Sequence, residues 1–317
     1  MWLDFEKPII ELEEKIERLQ AQGDPSLQPE IEKLEKELDK LYDKIYSNLT
    51  PWQRVQLARH PDRPYTADYI KYMMDYFIEL HGDGCFADDK AVICGIGKIE
   101  GRSIVLIGQQ KGRDTQERIM RNFGMMHPEG YRKALRIMKM GAKFGKPIVT
   151  LIDTAGAYPG IGAEERGQAQ AIAVNLREMA MLPVPIICVI TGEGGSGGAL
   201  GIGVGDKILM MEYSFYSVIS PEGCASILWR DAKEAPRAAE ALKLTAQDLY
   251  KLGVADEIIK EPRGGAHKDH RLAAQYVKEA IIKALDELTP IPPEELIKRR
   301  VEKYKKMGVY IEKQETK

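Results

Sequence analysis

Twice in this chain an unbroken apolar stretch of strand length runs into a glycine-rich loop and then into helix-forming sequence. Ile148 to Asp153 leads into Asp153-Thr154-Ala155-Gly156-Ala157-Tyr158-Pro159-Gly160-Ile161-Gly162, and Ile186 to Thr191 leads into Gly192-Glu193-Gly194-Gly195-Ser196-Gly197-Gly198. A strand without polar alternation is buried on both faces, which is the habit of sheets sandwiched between helices. The pattern around the two loops agrees. Ala91 to Ile99 and Ser103 to Gln109 read as a hairpin turned at Glu100-Gly101, and Pro128 opens a helix that runs to Phe144 and stops at Gly145. A helix is expected from Glu164 to Met181. Short strands follow near Lys207 to Met211, Tyr216 to Ser220 and Asp256 to Ile259, with helices after Pro221, Ala235 and Thr245. The order strand, strand, helix recurs, so the chain is of the α/β class without the strict alternation of a simple doubly wound sheet.

The two ends differ in texture. Apolar residues at Ile9, Leu12, Ile16 and Leu19, and again at Ile31, Leu34, Leu38, Leu41 and Ile45, repeat in steps of three and four among Glu and Lys. Gly23-Asp24-Pro25 breaks the run, so residues 1–50 are expected to fold as an antiparallel helical hairpin, packed on its own subunit or presented to a partner as a coiled coil. Residues 51–290 form the main domain. Amphipathic helices close the chain at His270 to Leu288 and Glu294 to Met307, and 291–317 is a basic C-terminal helix and tail.

Composition narrows the function. The charge sum is −2, so nothing global draws the chain to nucleic acid or anionic lipid. The acidic start, Asp4 and Glu6, and the absence of an apolar stretch near the roughly 18 residues that span a bilayer lead us to expect a cytoplasmic protein with no membrane association. Cysteines at 85, 94, 188 and 224 form no C-x-x-C pair, and the five histidines form no ligand cluster, so no metal is expected in this chain.

Glycine-rich loops at the carboxyl ends of buried strands let backbone N–H groups approach a ligand, and a helix start beside them adds positive potential; the product is a cradle for an anion or oxyanion. Two other readings fit the letters of the second loop. Gly192, Gly194 and Gly197 match the dinucleotide pattern G-x-G-x-x-G, with Glu212 at the spacing of a ribose-binding acid. Between Gly198 and Lys207, however, glycines at 201, 203 and 205 leave little room for the crossover of roughly 10 to 12 residues that the pattern needs. No G-x-x-x-x-G-K-[ST] exists, which excludes a P-loop. Gly194, Ser196 and Gly198 spell the nucleophile elbow G-x-S-x-G, and the order Ser196, Asp256, His267 or His270 is that of a hydrolase triad. Spacing alone leaves serine hydrolase and oxyanion cradle both open. The basic stretch Lys111, Arg113, Arg118, Arg121, Arg132, Lys133 and Arg136 reads as a solvated helix face or as a surface for an anionic ligand.

At these segments the chain resembles the α subunits of bacterial acetyl-CoA carboxylase carboxyltransferases. The resemblance covers nearly the whole length. It rests on Gln110-Lys111-Gly112-Arg113, Arg121-Asn122-Phe123-Gly124-Met125, Pro128 to Ala134, Gly162-Ala163-Glu164-Glu165-Arg166-Gly167-Gln168, Gly192 to Gly198, and Ser217 to Ala225. Two departures are visible: Ala155 where the family usually has proline, which loosens the first loop, and Gln109 where histidine is common. The resemblance implies a crotonase-like (ClpP/crotonase) spiral of repeated β-β-α units behind the N-terminal hairpin. It also implies transfer of a carboxyl group from carboxybiotin, carried on a biotin carboxyl carrier protein, to acetyl-CoA, giving malonyl-CoA in the first committed step of fatty-acid synthesis. The implied assembly is an α2β2 heterotetramer with a zinc-bearing β subunit that holds acetyl-CoA, joined in the larger complex by biotin carboxylase. By position in the motif, the backbone amides of Gly197 and Gly198 would stabilise charge on the ureido oxygen of biotin. Gly156, Ala157, Tyr158, Pro159, Gly160, Gly194 and Gly195 would shape the biotin pocket.

Overall fold

The structure is a computed structural model, and it describes residues 3–308. The expected tail past residue 308 and the first two residues lie outside this range. Helices α1 (Lys7–Ala21) and α2 (Gln28–Tyr46) form the antiparallel hairpin, turned at Gly23, whose φ is +65°, with the Asp24 carboxylate accepting the Ser26 amide at 2.9 Å. Ile16, Ile31 and Leu34 close its seam. Its root is fastened to the body, where Tyr46 donates to Glu6 Oε1 at 2.6 Å and Arg263 pairs with Asp39 at 2.5 Å. Two short helices without strong apolar periodicity follow, α3 (Pro51–Ala58) and α4 (Thr66–Met73). The first is closed by a reciprocal cap between Thr50 and Gln53.

One mixed sheet organises the rest. Strands β1 (Tyr76–Glu79), β2 (Val92–Ile99) and β3 (Arg102–Gln109) are antiparallel, and Glu100 and Gly101, with φ of +47° and +74°, make the two-residue turn read from the sequence. Helices α5 (Thr115–Met120) and α6 (Pro128–Lys143) lead to β4 (Ile148–Thr154). Then come α7 (Ile161–Glu165), α8 (Gln168–Met181), β5 (Ile186–Gly195), α9 (Ser196–Leu200), β6 (Lys207–Met211) and β7 (Phe215–Ser217). Helices α10 (Pro221–Trp229), α11 (Ala235–Leu242) and α12 (Ala246–Lys251), strand β8 (Glu257–Ile259), and helices α13 (His270–Leu288) and α14 (Pro293–Lys305) complete the described chain. The strand order is β1-β2-β3-β4-β5-β6-β8, parallel from β3 onward, and β7 pairs with the carboxyl end of β5.

The apolar strands are buried on both faces for the reason their composition suggests. Val105, Ile107, Ile148, Ile152, Ile186 and Ile190 pack under α6 and α8, while Leu106, Val149, Leu151, Ile187 and Val189 pack under α4 and α13. Two expectations are corrected. The single helix from Glu164 to Met181 is two helices, because Gly167 adopts a left-handed φ of +82° between α7 and α8. The strand from Ile186 does not stop at Thr191. It runs on to Gly195, since β7 supplies a partner for Glu193 to Gly195 that the local sequence does not reveal.

The basic C-terminal helix has a structural role. Arg300 is 1% exposed; its guanidinium pairs with Asp206 at 2.7 Å and donates to the carbonyls of Met179, Leu182 and Val184 at 2.8–2.9 Å, capping the end of α8. No helix among the described residues is long and apolar enough to cross a membrane.

Where the hairpin root meets the body, His267 stacks on His60 with ring centroids 4.0 Å apart, and both its ring nitrogens are buried without a hydrogen-bond partner. Glu6 Oε1 lies 3.8 Å from its Nε2. Burial first, then the neighbouring His60, Arg63, Lys268 and His270, push the His267 pKa down from 6.5 to about 3. Between those values the unfolded chain holds the proton and the folded chain does not, so stability is complete above pH 6.5 and declines as the pH falls through this window. His267→Phe keeps the stack and removes the titration. Its denaturation midpoint is expected to fall less between about pH 7 and pH 5 than that of the parent chain; parallel declines would show that His267 carries no such linkage.

Candidate active site

The parallel register of β4 and β5 brings both glycine loops to the same edge of the sheet. At the end of β5 the chain turns sharply into α9 through Ser196, which takes a left-handed φ of +57°. For a residue with a side chain that conformation costs roughly 1–2 kcal/mol. Amides in the first turn of a helix have no intrahelical acceptor. The peptide between Gly197 and Gly198 is fixed from its other side: Gly201 N donates to Gly197 O at 2.9 Å, so the Gly198 N–H of the same peptide faces the opposite way, toward the start of the helix.

The two adjacent glycines have different reasons to be glycine. A Cβ on Gly198 would stand 2.2 Å from the Gly156 carbonyl carbon and 2.4 Å from Ala157 N, because the first loop lies directly behind it. A Cβ on Gly197 would meet nothing nearer than Ile172 Cδ1 at 3.8 Å, and Gly197 has no left-handed φ. The fold needs glycine at 198 and does not need it at 197. Gly194 and Gly195 are buried in the strand, where a Cβ would strike the Tyr216 ring at 2.9 Å and the Ala155 carbonyl at 2.2 Å.

Gly197 lines a cavity of about 250 Å³ with Ser196, Leu200, Tyr216, Ser217, Val218, Leu249 and Val254. Its walls are mainly apolar, and its one titratable side chain, Tyr216, is held above its usual pKa by burial. None of the first-loop residues expected to shape a pocket lines this cavity. Gly156 and Ala157 stand behind α9. Tyr158 stacks on His127 at 4.1 Å and its amide donates to the Met126 carbonyl at 3.0 Å, which draws it away, and Pro159 and Gly160 lead into α7. Ala155 borders a second cavity of about 500 Å³ with Tyr65, Lys111, Arg118, Phe123 and Glu193.

Beneath the loops lies a closed charge network. Lys111 Nζ sits 2.7 Å from Asp153 and 3.0 Å from Glu193, Arg59 pairs with Glu193 at 2.8 Å and Glu222 at 2.5 Å, and the Glu193 amide donates to Asp153 at 2.9 Å. Burial alone would lower the Lys111 pKa, but Asp153 and Glu193 outweigh it and hold it above the usual range. For Glu193 burial is outweighed by Lys111 and Arg59, and its pKa falls. Most of the basic stretch is paired within the fold, while Lys111 and Arg118 line the second cavity. Arg113 pairs with Asp68 and lies 4.1 Å over the Tyr65 ring, Arg121 pairs with Glu117, Arg132 with Asp83, buried Lys133 with Asp88, and Arg136 donates to the carbonyls of His81 and Gly82.

The hydrolase triad is not assembled. Ser196 follows the carboxyl end of β5, whereas Asp256 sits at the amino end of the parallel neighbour β6, accepting the Ile208 amide at 2.6 Å and pairing with Lys303. His267 is stacked on His60, and His270 donates to the Asp62 carbonyl at 2.5 Å. Nor does α9, five residues long, make a dinucleotide-binding helix. Among the described residues no group of three His, Cys, Asp or Glu could hold a metal ion. Reading the sequence gave no site role to Gln109 and Tyr131, both fully buried, which donate to the Gly198 carbonyl at 2.9 and 3.2 Å.

Two stability measurements follow. Gly198→Ala is expected to lose about 1–3 kcal/mol through overpacking, while Gly197→Ala stays within about 0.5 kcal/mol of the parent; equal losses in chemical denaturation would contradict the distinction. Lys111→Met leaves two buried carboxylates without their shared cation and is expected to cost about 3–5 kcal/mol in the same experiment.

The family described as acetyl co-enzyme A carboxylase carboxyltransferase-like matches residues 2–308. The acetyl-coenzyme A carboxylase carboxyl transferase subunit alpha of Geobacter metallireducens is 58% identical over 98% of this chain and 98% of its own. The protein of the same description from Anoxybacillus flavithermus is 56% identical over 99% and 97%. Among solved structures, transcarboxylase 12S with methylmalonyl-coenzyme A and methylmalonic acid bound is similar with a TM-score of 0.59 at 17% identity, over 85% of this chain and 48% of that one. A Pseudomonas malonate decarboxylase hetero-tetramer in complex with coenzyme A is similar with a TM-score of 0.56 at 14% identity, over 67% and 84%. The architecture is thus the crotonase-like α/β fold of carboxyltransferases, and the serine hydrolase reading has no support. With near full-length identity to several curated relatives, this chain belongs to the family of acetyl-CoA carboxylase carboxyltransferase α subunits.

Proposed function

We propose that the backbone amides of Gly197 and Gly198 are the charge-stabilising element of this carboxyltransferase, and that the apolar cavity beside them receives the ring system of biotin. The observation that carries this reading is Gly197 itself, a glycine that the backbone angles and the packing do not require, facing a cavity at the first turn of a helix. A bare Cα there lets a ligand oxygen come up to the amide. The fit of the group is favourable: the cavity offers about 250 Å³, mostly apolar walls for a bicyclic ring, and the bare backbone of Gly197 at its edge.

Carboxybiotin, when bound, supplies the carboxyl group and an oxygen on which negative charge develops. What this chain does at that oxygen is electrostatic. Two donors fixed before the reaction need no reorganisation when charge appears, and one such donor is typically worth about 2.7–4 kcal/mol. Among the described residues lining the cavity, no side chain takes up a proton near neutral pH, since Tyr216 is the only one that titrates and its pKa is raised. No side chain of this lining is therefore assigned the proton of the acyl acceptor. Gly156 and Ala157 contribute from behind by backing Gly198, and Gly194 and Gly195 by letting Tyr216 and Ala155 pack directly on β5.

The acceptor is acetyl-CoA, held on a β subunit in an α2β2 heterotetramer, with a biotin carboxyl carrier protein and biotin carboxylase completing the complex in the cytoplasm. The rim of the cavity supports a second polypeptide there. Val218 lines the cavity yet is 79% exposed, and Ile227 and Leu228 on the following helix are 71% and 63% exposed. Large apolar side chains left open beside a binding cavity mark a surface that another chain covers.

The test is Gly197→Val in the assembled enzyme. The variant is expected to fold with an unchanged melting profile and to lose at least about a hundredfold in carboxyl transfer between malonyl-CoA and biotin, because its side chain fills the space before the amides. Full activity would overturn the assignment.

A further inference from the structure

We propose that Gln109 and Tyr131 are positioning residues for carboxyl transfer, holding the carbonyl of Gly198 and thereby setting the direction in which the amides of α9 face the cavity. The inference rests on the reading of those amides given above.

The hydrogen bonds around α9 carry it. In a helix that continued regularly, Ile202 N–H would bond to Gly198 O. Instead Ile202 N donates to Ala199 O at 3.3 Å, while Gly201 N keeps the regular bond to Gly197 O at 2.9 Å. The Gly198 carbonyl is passed over by the backbone and is taken by two side chains from two other elements. Gln109 Nε2, on β3, donates to it at 2.9 Å, and Tyr131 Oη, on α6, donates at 3.2 Å.

Their geometry goes beyond satisfying a buried oxygen, for which one donor suffices. The other end of the Gln109 amide accepts the Asp153 N–H at 3.1 Å, where β4 passes into the first loop. One side-chain amide thus spans the roots of both glycine loops and fixes their separation. The Tyr131 ring occupies the place that a Cβ on Gly201 would take, 2.6 Å from Cε1, so it also sets the far end of the turn. Asn175 of α8 adds a third support by donating to Gly201 O at 2.9 Å. A five-residue helix has too few internal bonds to hold its own direction, and a small misdirection of donors at a reacting centre is costly. A displacement of about 1 Å can cost a hundredfold in rate.

The variants are Tyr131→Phe, which removes one hydroxyl and keeps the ring, and Gln109→Met, which keeps the volume and removes the amide. Each is assembled with the partner subunit and assayed for carboxyl transfer between malonyl-CoA and free biotin, well below the melting temperature. Tyr131→Phe is expected to lower kcat about three- to tenfold with KM for malonyl-CoA within about twofold, and Gln109→Met to lower kcat at least about tenfold. The Tyr131→Phe melting temperature is expected to stay within about 2 °C of the parent. In a chain already carrying Gly197→Val, neither change should cost much further, since both act through the same amides. If Gly197→Val abolishes transfer while both positioning variants keep the parental kcat, this inference fails and the amide reading stands. If Gly197→Val retains its kcat, the amide reading fails and this inference with it. A loss confined to melting temperature, with kcat per folded molecule unchanged, would reduce both residues to a structural role and overturn the inference.

Discussion

A single turn of α-helix does not hold itself together in water, because ordering its first residues costs more backbone entropy than one hydrogen bond returns. Helix α9 is such a turn, and its sequence Ser-Gly-Gly-Ala-Leu includes two glycines that weaken it further. The surrounding fold supplies the missing constraint. Side chains from β3 and α6 donate to its Gly198 carbonyl, one from α8 donates to Gly201 just past its end, and the first loop fills the space behind Gly198. From the far side α14 holds the segment that leaves it, with the Gly205 amide donating to Tyr304 Oη at 2.9 Å and Arg300 gripping Asp206. Elements distant in sequence therefore meet around five residues, which explains how a stretch so poor in intrinsic helix propensity keeps a defined orientation.

The buried charges serve the same end electrostatically. Glu193 lies four positions before Gly197, and an unbalanced carboxylate there would oppose negative charge developing at the amides. Lys111 and Arg59 both reach it, and Asp153 completes the balance around Lys111. Such a network adds little net stability over an apolar core, since the desolvation of its members offsets their attraction. Its effect is to join the roots of both loops through fixed contacts, so that neither moves without breaking a buried ion pair.

What could be read from residues alone follows a physical division. Strands β4 and β5 were legible because burial on both faces demands an unbroken apolar run, and the turn at Glu100 and Gly101 because two left-handed residues are needed there. The two catalytic candidates looked alike, since a glycine forced by a neighbouring backbone and a glycine left bare for a ligand are the same letter; only the loop packed behind Gly198 separates them. The pairing of the basic stretch was hidden for a related reason. The carboxylates that neutralise Arg113, Arg132 and Lys133 stand at Asp68, Asp83 and Asp88, 45 to 49 positions earlier, so a local window sees only the positive half of each pair. The extension of β5 to Gly195 was equally hidden, because its partner β7 arrives later in the chain. Gln109 stood out only as a departure from a family pattern, and its span between two loops is a property of the fold.

The same considerations explain why a hydrolase-like motif does no hydrolase chemistry here. A strand, one left-handed residue and a helix form an elbow that presents whatever stands at the bend, and Ser196 occupies it with φ of +57°. A nucleophile there becomes reactive only if a base and an orienting acid reach it. Asp256 is held at the opposite edge of the sheet by Lys303 and the Ile208 amide, and the lining of the cavity beside Ser196 includes no His, Lys or carboxylate. With no group to move a proton, the elbow can contribute only its free amides and its shape. Ser196 is thus left without the base and acid that would activate it, beside the exposed apolar rim at Val218.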